Sequence, residues 1–411
     1  MNQRMIHVPA YMKEFSCLGS ACEDTCCSGW KIDIDRKTFE FYEANPEVEI
    51  TMASFIRRNE SSQDPEKYGE IVLNEQMSCP ALNEEKLCSI HKNMGEKYLS
   101  NLCMTYPRTT SIINGSYELS ATVACPEVAR VALLNPEGMT FTNVEESMDA
   151  RHIISSQINM DMLDKLRPET KYFPELRTLS IAMIQNRKYT LADRLLMLGL
   201  FYEELENHLS ARGEIEAIPG LIAAFEKNVR NGLYEQRITA MPFELHTQME
   251  LLRRLLDLHL FMGISNKRYL LCVMEGLQGI HYTGASLKEE SVGLYQEGHQ
   301  VYKAFLNGND YILENYIVNY LYRNFLPIIS KQGVFMGLVV LIVNVALIRF
   351  HLVGMAAYHK SELKNEHVIK LIQSFSRAVE HSPLHARNVI KHLKENNGYD
   401  LATMSVLLKV D

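Results

Sequence analysis

Eight of the nine cysteines in this 411-residue chain lie between Cys17 and Cys125, while residues 126–411 hold only Cys272. The eight fall in blocks: Cys17, Cys22, Cys26 and Cys27, then Cys79 and Cys88, then Cys103, then Cys125. Three explanations compete. A disulfide framework belongs to an oxidising compartment and staples small domains that lack cores. The N-terminus, MNQRMIHVPAYMKEF, has no apolar run to serve as the core of a secretory signal, so a cytoplasmic location is expected. Buried free thiols pack as small hydrophobes, which suits Cys272 but not a cluster of eight. Metal binding remains, because thiolates four or five residues apart on a loop converge on one centre and more distant cysteines close the shell. All eight are candidate metal ligands.

The spacing adds detail. Successive side chains on an extended backbone point to opposite faces, so Cys26 and Cys27 are expected either to split into ligand and packing residue or to serve two adjacent centres. Eight thiolates suit two four-cysteine sites, whereas a single [4Fe-4S] cluster needs four. Ile112-Ile113, Asn114-Gly115 and Ser116 to Leu119 read as a β-hairpin with a type I′ turn, and pairing about it would bring Cys103 toward Cys125 unless Pro107 interrupts the ladder. His91, three residues after Cys88, is a candidate fourth ligand of a mixed site, with a surface or supporting role favoured by the surplus of cysteines. The Cys-x3-Cys-x2-Cys signature of radical S-adenosylmethionine chemistry begins at Cys22 and Cys26 but fails at Gly29.

The rest of the chain predicts a mainly α protein: a small cysteine-rich metal module with a β-hairpin over residues 1–130, and a helical domain over 131–411. Leu191, Leu195, Leu198, Tyr202, Leu205 and Leu209 follow the four-and-three rhythm of one helix face, with Thr190 as start and Gly213 as stop. Leu245, Met249, Leu252 and Leu256 form a second stripe, with Pro242 placed for a first turn. Further helices are expected at 310–325, 334–358 and 362–381. Arg57 to Glu70 reads as a surface loop, and Asp33 and Asp35 as solvent-facing. The uncharged run Gly333 to Ile348 has 16 residues, short of the ~20 a membrane span needs, and predicts a buried core helix without membrane insertion. A net charge of −8 gives no footprint for nucleic acid.

Cys17-x4-Cys22-x3-Cys26-Cys27-x-Gly29-Trp30, Cys79-Pro80-x-Leu82, Cys88, Leu102-Cys103-x2-Tyr106-Pro107-Arg108 and Cys125-Pro126-Glu127 resemble the flagellin lysine-N-methylase (FliB) family. The front half also resembles a wider family of zinc- or iron-chelating cysteine clusters. Downstream, Leu313-Glu314-Asn315-Tyr316, Asn319-Tyr320 and Phe325-Leu326-Pro327 are similar to the methylase family's C-terminal signature. The resemblance implies methyl transfer from S-adenosylmethionine to lysines of flagellin before export, with a [4Fe-4S] cluster. The chelating-family likeness leaves zinc as the alternative metal, and a non-catalytic chelating module or an iron-sulfur redox enzyme as alternative functions. No Gly-x-Gly-x-x-Gly nucleotide-fold signature is present, so a donor site would have to be built differently.

Methylating lysine requires a neutral amine, and free lysine has a pKa of about 10.4, so a proton acceptor is part of the chemistry. Glu314, Tyr316 and Tyr320 are the catalytic candidates, the two tyrosines sharing a helix face at four-residue spacing. Arg108 and Tyr106 beside the cysteines, and Asn315 and Asn319 on the downstream motif, are the candidate cofactor contacts. Trp30 is expected to pack in the core.

Overall fold

In a computed structural model, residues 3–45, 52, 55–159, 167–261, 266–282, 284, 287–328, 333–380 and 382–409 are described. The chain is mainly helical and its described strands all fall before residue 159. It divides into two units, Met1–Val131 with Thr140–Ile158, and Ala132–Met139 with Asn159–Asp411.

The first unit carries two small sheets. In chain order the strands are β1 (Gln3–Pro9), β2 (Ile32–Ile34), β3 (Ile56–Arg58), β4 (Gly69–Ile71), β5 (Arg108–Ile113), β6 (Ser116–Ala121), β7 (Phe141–Ser147) and β8 (Ile154–Ile158). The larger sheet has the order β7-β1-β6-β5-β8, the smaller β2-β4-β3. β5 and β6 form the expected hairpin, Ile113 opposite Ser116 and Arg108 opposite Ala121. Asn114 (φ 49°) and Gly115 (φ 79°) both take the left-handed backbone of a type I′ turn.

Three expectations are corrected here. The run Arg57 to Glu70 is not wholly a loop: its ends pair as β3 and β4, because Ile56 opposes Ile71 while Arg57 opposes Glu70 and donates to it through Nε at 3.0 Å. Asp35 is buried; it caps the helix Arg36–Ala44 by accepting from the Thr38 amide at 3.0 Å and also accepts from the Asn101 amide at 2.8 Å. The sheet also continues past residue 130, since β7 pairs along the whole of β1 and β8 lies beside β5. Both strands are largely polar on their open faces, so their apolar periodicity is weak.

The second unit is built from helices. Leu191–Arg212 starts on Thr190, whose hydroxyl accepts from the Asp193 amide, and stops at Gly213 in the left-handed region (φ 66°). Its stripe Leu195, Leu198, Tyr202 and Leu205 is fully buried. The second stripe lies on Leu245–Phe261, with Pro242 outside the helix rather than in its first turn. The stretch expected over 362–381 resolves into the helix Asn365–Phe375 and a π-helical turn, Ser376–Glu380; residue 381 lies outside the described residues.

At the centre is Val334–His359, buried along almost its whole length. By length and composition it could cross a membrane, yet most of its apolar side chains are covered by protein, Tyr358 near its end being the exposed exception. The helices Lys267–Gly279 and Glu289–Leu306 pack closest to it. Glycines make that approach possible: a β-carbon on Gly279 would stand 2.0 Å from the Gly354 carbonyl oxygen, and one on Gly354 2.4 Å from the Gly276 oxygen. Gly279→Ala is therefore expected to cost about 1–3 kcal/mol through forced separation of two backbones, measured as a lowered urea midpoint with an unchanged slope.

Candidate functional site

All nine cysteines are free thiols. In the first unit they gather into two neighbourhoods. The Cys79 amide donates to the Cys27 carbonyl at 2.7 Å, and a bridge between Leu82 and Cys88 folds the 79–88 loop back on itself. Cys27, Cys79, Cys88 and Cys103 consequently lie within electrostatic reach of one another. Cys17, Cys22 and Cys125 form the second group. Cys26 stands between them, hydrogen-bonded to Cys27 and feeling the charges of Cys103 and Cys17. Residues 26 and 27 sit in a turn, not on an extended backbone, and so their thiols meet instead of pointing apart.

The hairpin does not pair Cys103 with Cys125 as leading neighbours. Below the Arg108–Ala121 pair the chain leaves the ladder on both sides, into the helix Asn101–Thr105 on one and toward Pro126–Leu133 on the other.

Burial pushes the Cys79 thiol up to about 12 and Cys125 to about 11, and raises Cys22 and Cys88 as well. An opposing effect is built into the backbone. The amide of Ala81 points at Cys79, those of Ile90 and His91 at Cys88, those of Glu127 and Val128 at Cys125, and that of Asp24 at Cys22. Amide hydrogens two or three residues ahead of a sulfur stabilise the thiolate, the form that ligates a metal. Cys103 is open to solvent yet ringed by protein, and Ser100 donates to it.

In donor chemistry the two groups suit a thiolate-bound metal. In spacing, no three ligating side chains among the described residues are drawn together closely enough to hold an ion. Trp30 packs at this core, its ring 5.4 Å from that of Tyr106 and its indole N–H donating to the Cys26 carbonyl at 2.6 Å. Arg108 lies 5.3 Å over the Phe15 ring, and His91 is exposed.

In the second unit the helix Tyr311–Arg323 carries the downstream motif, and each motif residue holds a different segment. Glu314, 3% exposed, accepts from Arg187 through Nε and Nη2 at 3.0 and 2.8 Å and from Arg194 Nη1 at 2.7 Å. Gly138 lies over this ion pair with a left-handed φ of 87°; a β-carbon there would meet Glu314 Oε1 at 3.2 Å. Asn315 donates to the Leu133 and Asn135 carbonyls at 3.2 and 2.8 Å, while its buried Oδ1 has no partner among the described residues. Asn319 is buried.

Tyr316 donates to Glu380 Oε1 at 2.6 Å, and the Tyr320 ring lies 6.2 Å from that of Tyr316. Glu380 was not among the residues picked out by sequence. It sits on the π-helical turn, accepts from Ser376 at 2.9 Å, and has Arg323 Nη1 at 3.8 Å. Burial raises the Glu380 carboxyl, against the pull of Arg323, Tyr316 and Ser376; burial, reinforced by Glu380, raises both tyrosines.

With Glu380 raised in the folded state, the native chain holds its proton to higher pH than the unfolded chain does. This contribution to stability is present below the ordinary carboxylate pKa and is lost as pH rises to the elevated one. Glu380→Gln should flatten that fall: a difference between variant and parent in unfolding midpoint that grows from pH 4 toward neutrality checks it.

The chain thus joins a thiol-rich unit with an amide-lined cysteine core to a unit whose described elements are helical and which carries the downstream motif on the Tyr311–Arg323 helix. Residues 177–407 match the family described as the FliB lysine N-methylase C-terminal domain. The chain belongs to that family. It is 24% identical over 99% of its length to two proteins named Lysine-N-methylase, from Salmonella choleraesuis and Salmonella typhimurium, each covered in full. It is also 36% identical, over 38% of its length and 90% of the relative's, to the Flagellar biosynthetic protein FliU of Salmonella muenchen. No solved structure matches the chain.

Proposed function

We propose that this protein is a protein-lysine N-methyltransferase of the cytoplasm that moves methyl groups from S-adenosylmethionine to lysine side chains of flagellin. The observation that carries this reading is similarity along the whole chain to two proteins named for lysine methylation, with the family match over residues 177–407 of the helical unit. The flagellar name of the third relative supports the substrate.

Transfer is an in-line displacement at a sulfonium carbon, so the protein must deliver a neutral amine, align it and exclude water. In this reading Tyr320, half-buried beside Tyr316, receives the incoming ammonium, and Tyr316 and Glu380 form the route by which its proton leaves. A carboxylate whose affinity for protons is raised by burial suits that task. Glu314 then serves as an anchor, since both its oxygens are held by guanidinium groups. Asn315 and Asn319 remain proposed donor contacts on the same helix, and Tyr106 and Arg108 proposed contacts beside the thiols.

Cys27, Cys79, Cys88 and Cys103 would hold a [4Fe-4S] cluster, or zinc as the alternative, with Cys17, Cys22, Cys26 and Cys125 as a second thiol set. A bound cluster supplies a Lewis-acidic or redox-active iron, and zinc a crosslink of the loops. The test is incubation of anaerobically purified protein with labelled S-adenosylmethionine and flagellin. Label on flagellin lysines is expected; none, with metal intact, would overturn the methylase reading. Zinc without iron or sulfide would overturn the cluster.

A further inference from the structure

The helical unit contains a cleft of about 1140 Å³ that the proposed chemistry does not use. Its walls come from the start of Leu191–Arg212, from Glu289–Leu306 and Val334–His359, and from the C-terminal residues Leu408 and Lys409. Six lysine and arginine side chains line it against two aspartates, so a positive excess remains even after Glu314 is set against Arg187 and Arg194. Such a lining disfavours a sulfonium and favours an anion.

Two wall residues have unfilled hydrogen-bonding capacity. Tyr302 is 1% exposed and its buried hydroxyl has no partner among the described residues. A buried orphan hydroxyl destabilises the fold unless something fills it. Arg349, near enough to act on Tyr302 and Tyr295, donates from Nη2 to the Leu407 carbonyl at 2.9 Å and has no carboxylate partner among the described residues. Its other donors are left in the fork geometry that matches a carboxylate. Lys303, next to Tyr302, also lines the cleft without an ion-pair partner among the described residues.

We infer that this cleft is a carboxylate-binding site in which the Arg349 guanidinium takes the charge and the Tyr302 hydroxyl donates the completing hydrogen bond. The carboxylate belongs either to a small organic acid or to an acidic polypeptide segment. The inference does not depend on the methylase reading, and its readout is binding.

The test is calorimetric titration of the full-length protein with citrate and with a hexaglutamate peptide, at ionic strength held constant with sodium chloride. Saturable binding of citrate identifies a small acid; binding of the peptide alone identifies a polypeptide. Tyr302→Phe, which removes only an unpartnered hydroxyl, should leave the unfolding midpoint unchanged or raised and weaken binding about tenfold. Arg349→Lys should weaken it at least as much, since lysine lacks the fork. If neither probe binds beyond the effect of chloride, or if both variants bind as the parent does, the inference is overturned.

Discussion

Glu314→Ala should lower the stability of the helical unit by about 3–5 kcal/mol, because it leaves buried positive charge without its counterion. The three residues allow a graded test. Arg194 is 7% exposed on its side chain and Arg187 47%, so Arg194→Ala should approach the effect of Glu314→Ala, while Arg187→Ala, with its partner still held by Arg194, should cost much less. Replacing both Arg194 and Glu314 by methionine should recover only part of the loss, because Arg194 also donates to the Tyr189 and Ile184 carbonyls at 2.7 and 2.8 Å. Urea unfolding followed by circular dichroism measures all four. If Glu314→Ala abolishes methylation with stability unchanged, the carboxylate is a reacting group and not an anchor.

If Cys27, Cys79, Cys88 and Cys103 hold the proposed metal, serine in place of any one of them should remove most of it from anaerobically prepared protein, since a four-thiolate shell tolerates the loss of one ligand poorly. Structural metal-thiolate sites contribute about 10 kcal/mol or more to folding in small domains, and the same variants should therefore loosen the first unit. Trp30 gives the readout, being the sole tryptophan and bonded to the Cys26 carbonyl: its emission should shift on metal loss. Cys272→Ser, in the other unit, should change neither metal content nor Trp30 emission. Equal metal in all four variants and the parent would remove the four-cysteine centre.

Much of the helical unit was legible because its signals are local. The rhythm through Leu195, Leu198, Tyr202 and Leu205, the Thr190 cap and the Gly213 stop together set one helix within a few residues. The Asn114-Gly115 turn was legible for the same reason. What the sequence did not carry was pairing at a distance. Arg187 and Arg194 lie 127 and 120 positions before Glu314, and nothing near either end marks the other. Glu380 was hidden because a π-helical turn has no pattern of its own, so the expected helix over 362–381 did not set it apart from its neighbours. The sorting of the cysteines depended on a turn at Cys26-Cys27 that spacing alone describes as extended.

The glycine contacts around Val334–His359 bear on how the chain is made. A stretch apolar enough for a bilayer is a hazard while it emerges from the ribosome, when nothing covers it and membrane-targeting factors compete for it. Here the two helices that press closest, Lys267–Gly279 and Glu289–Leu306, precede it in the chain and are synthesised first. The segment is thus translated after most of its receiving surface, and the notches at Gly276, Gly279 and Gly298 let that surface take it backbone to backbone as it appears.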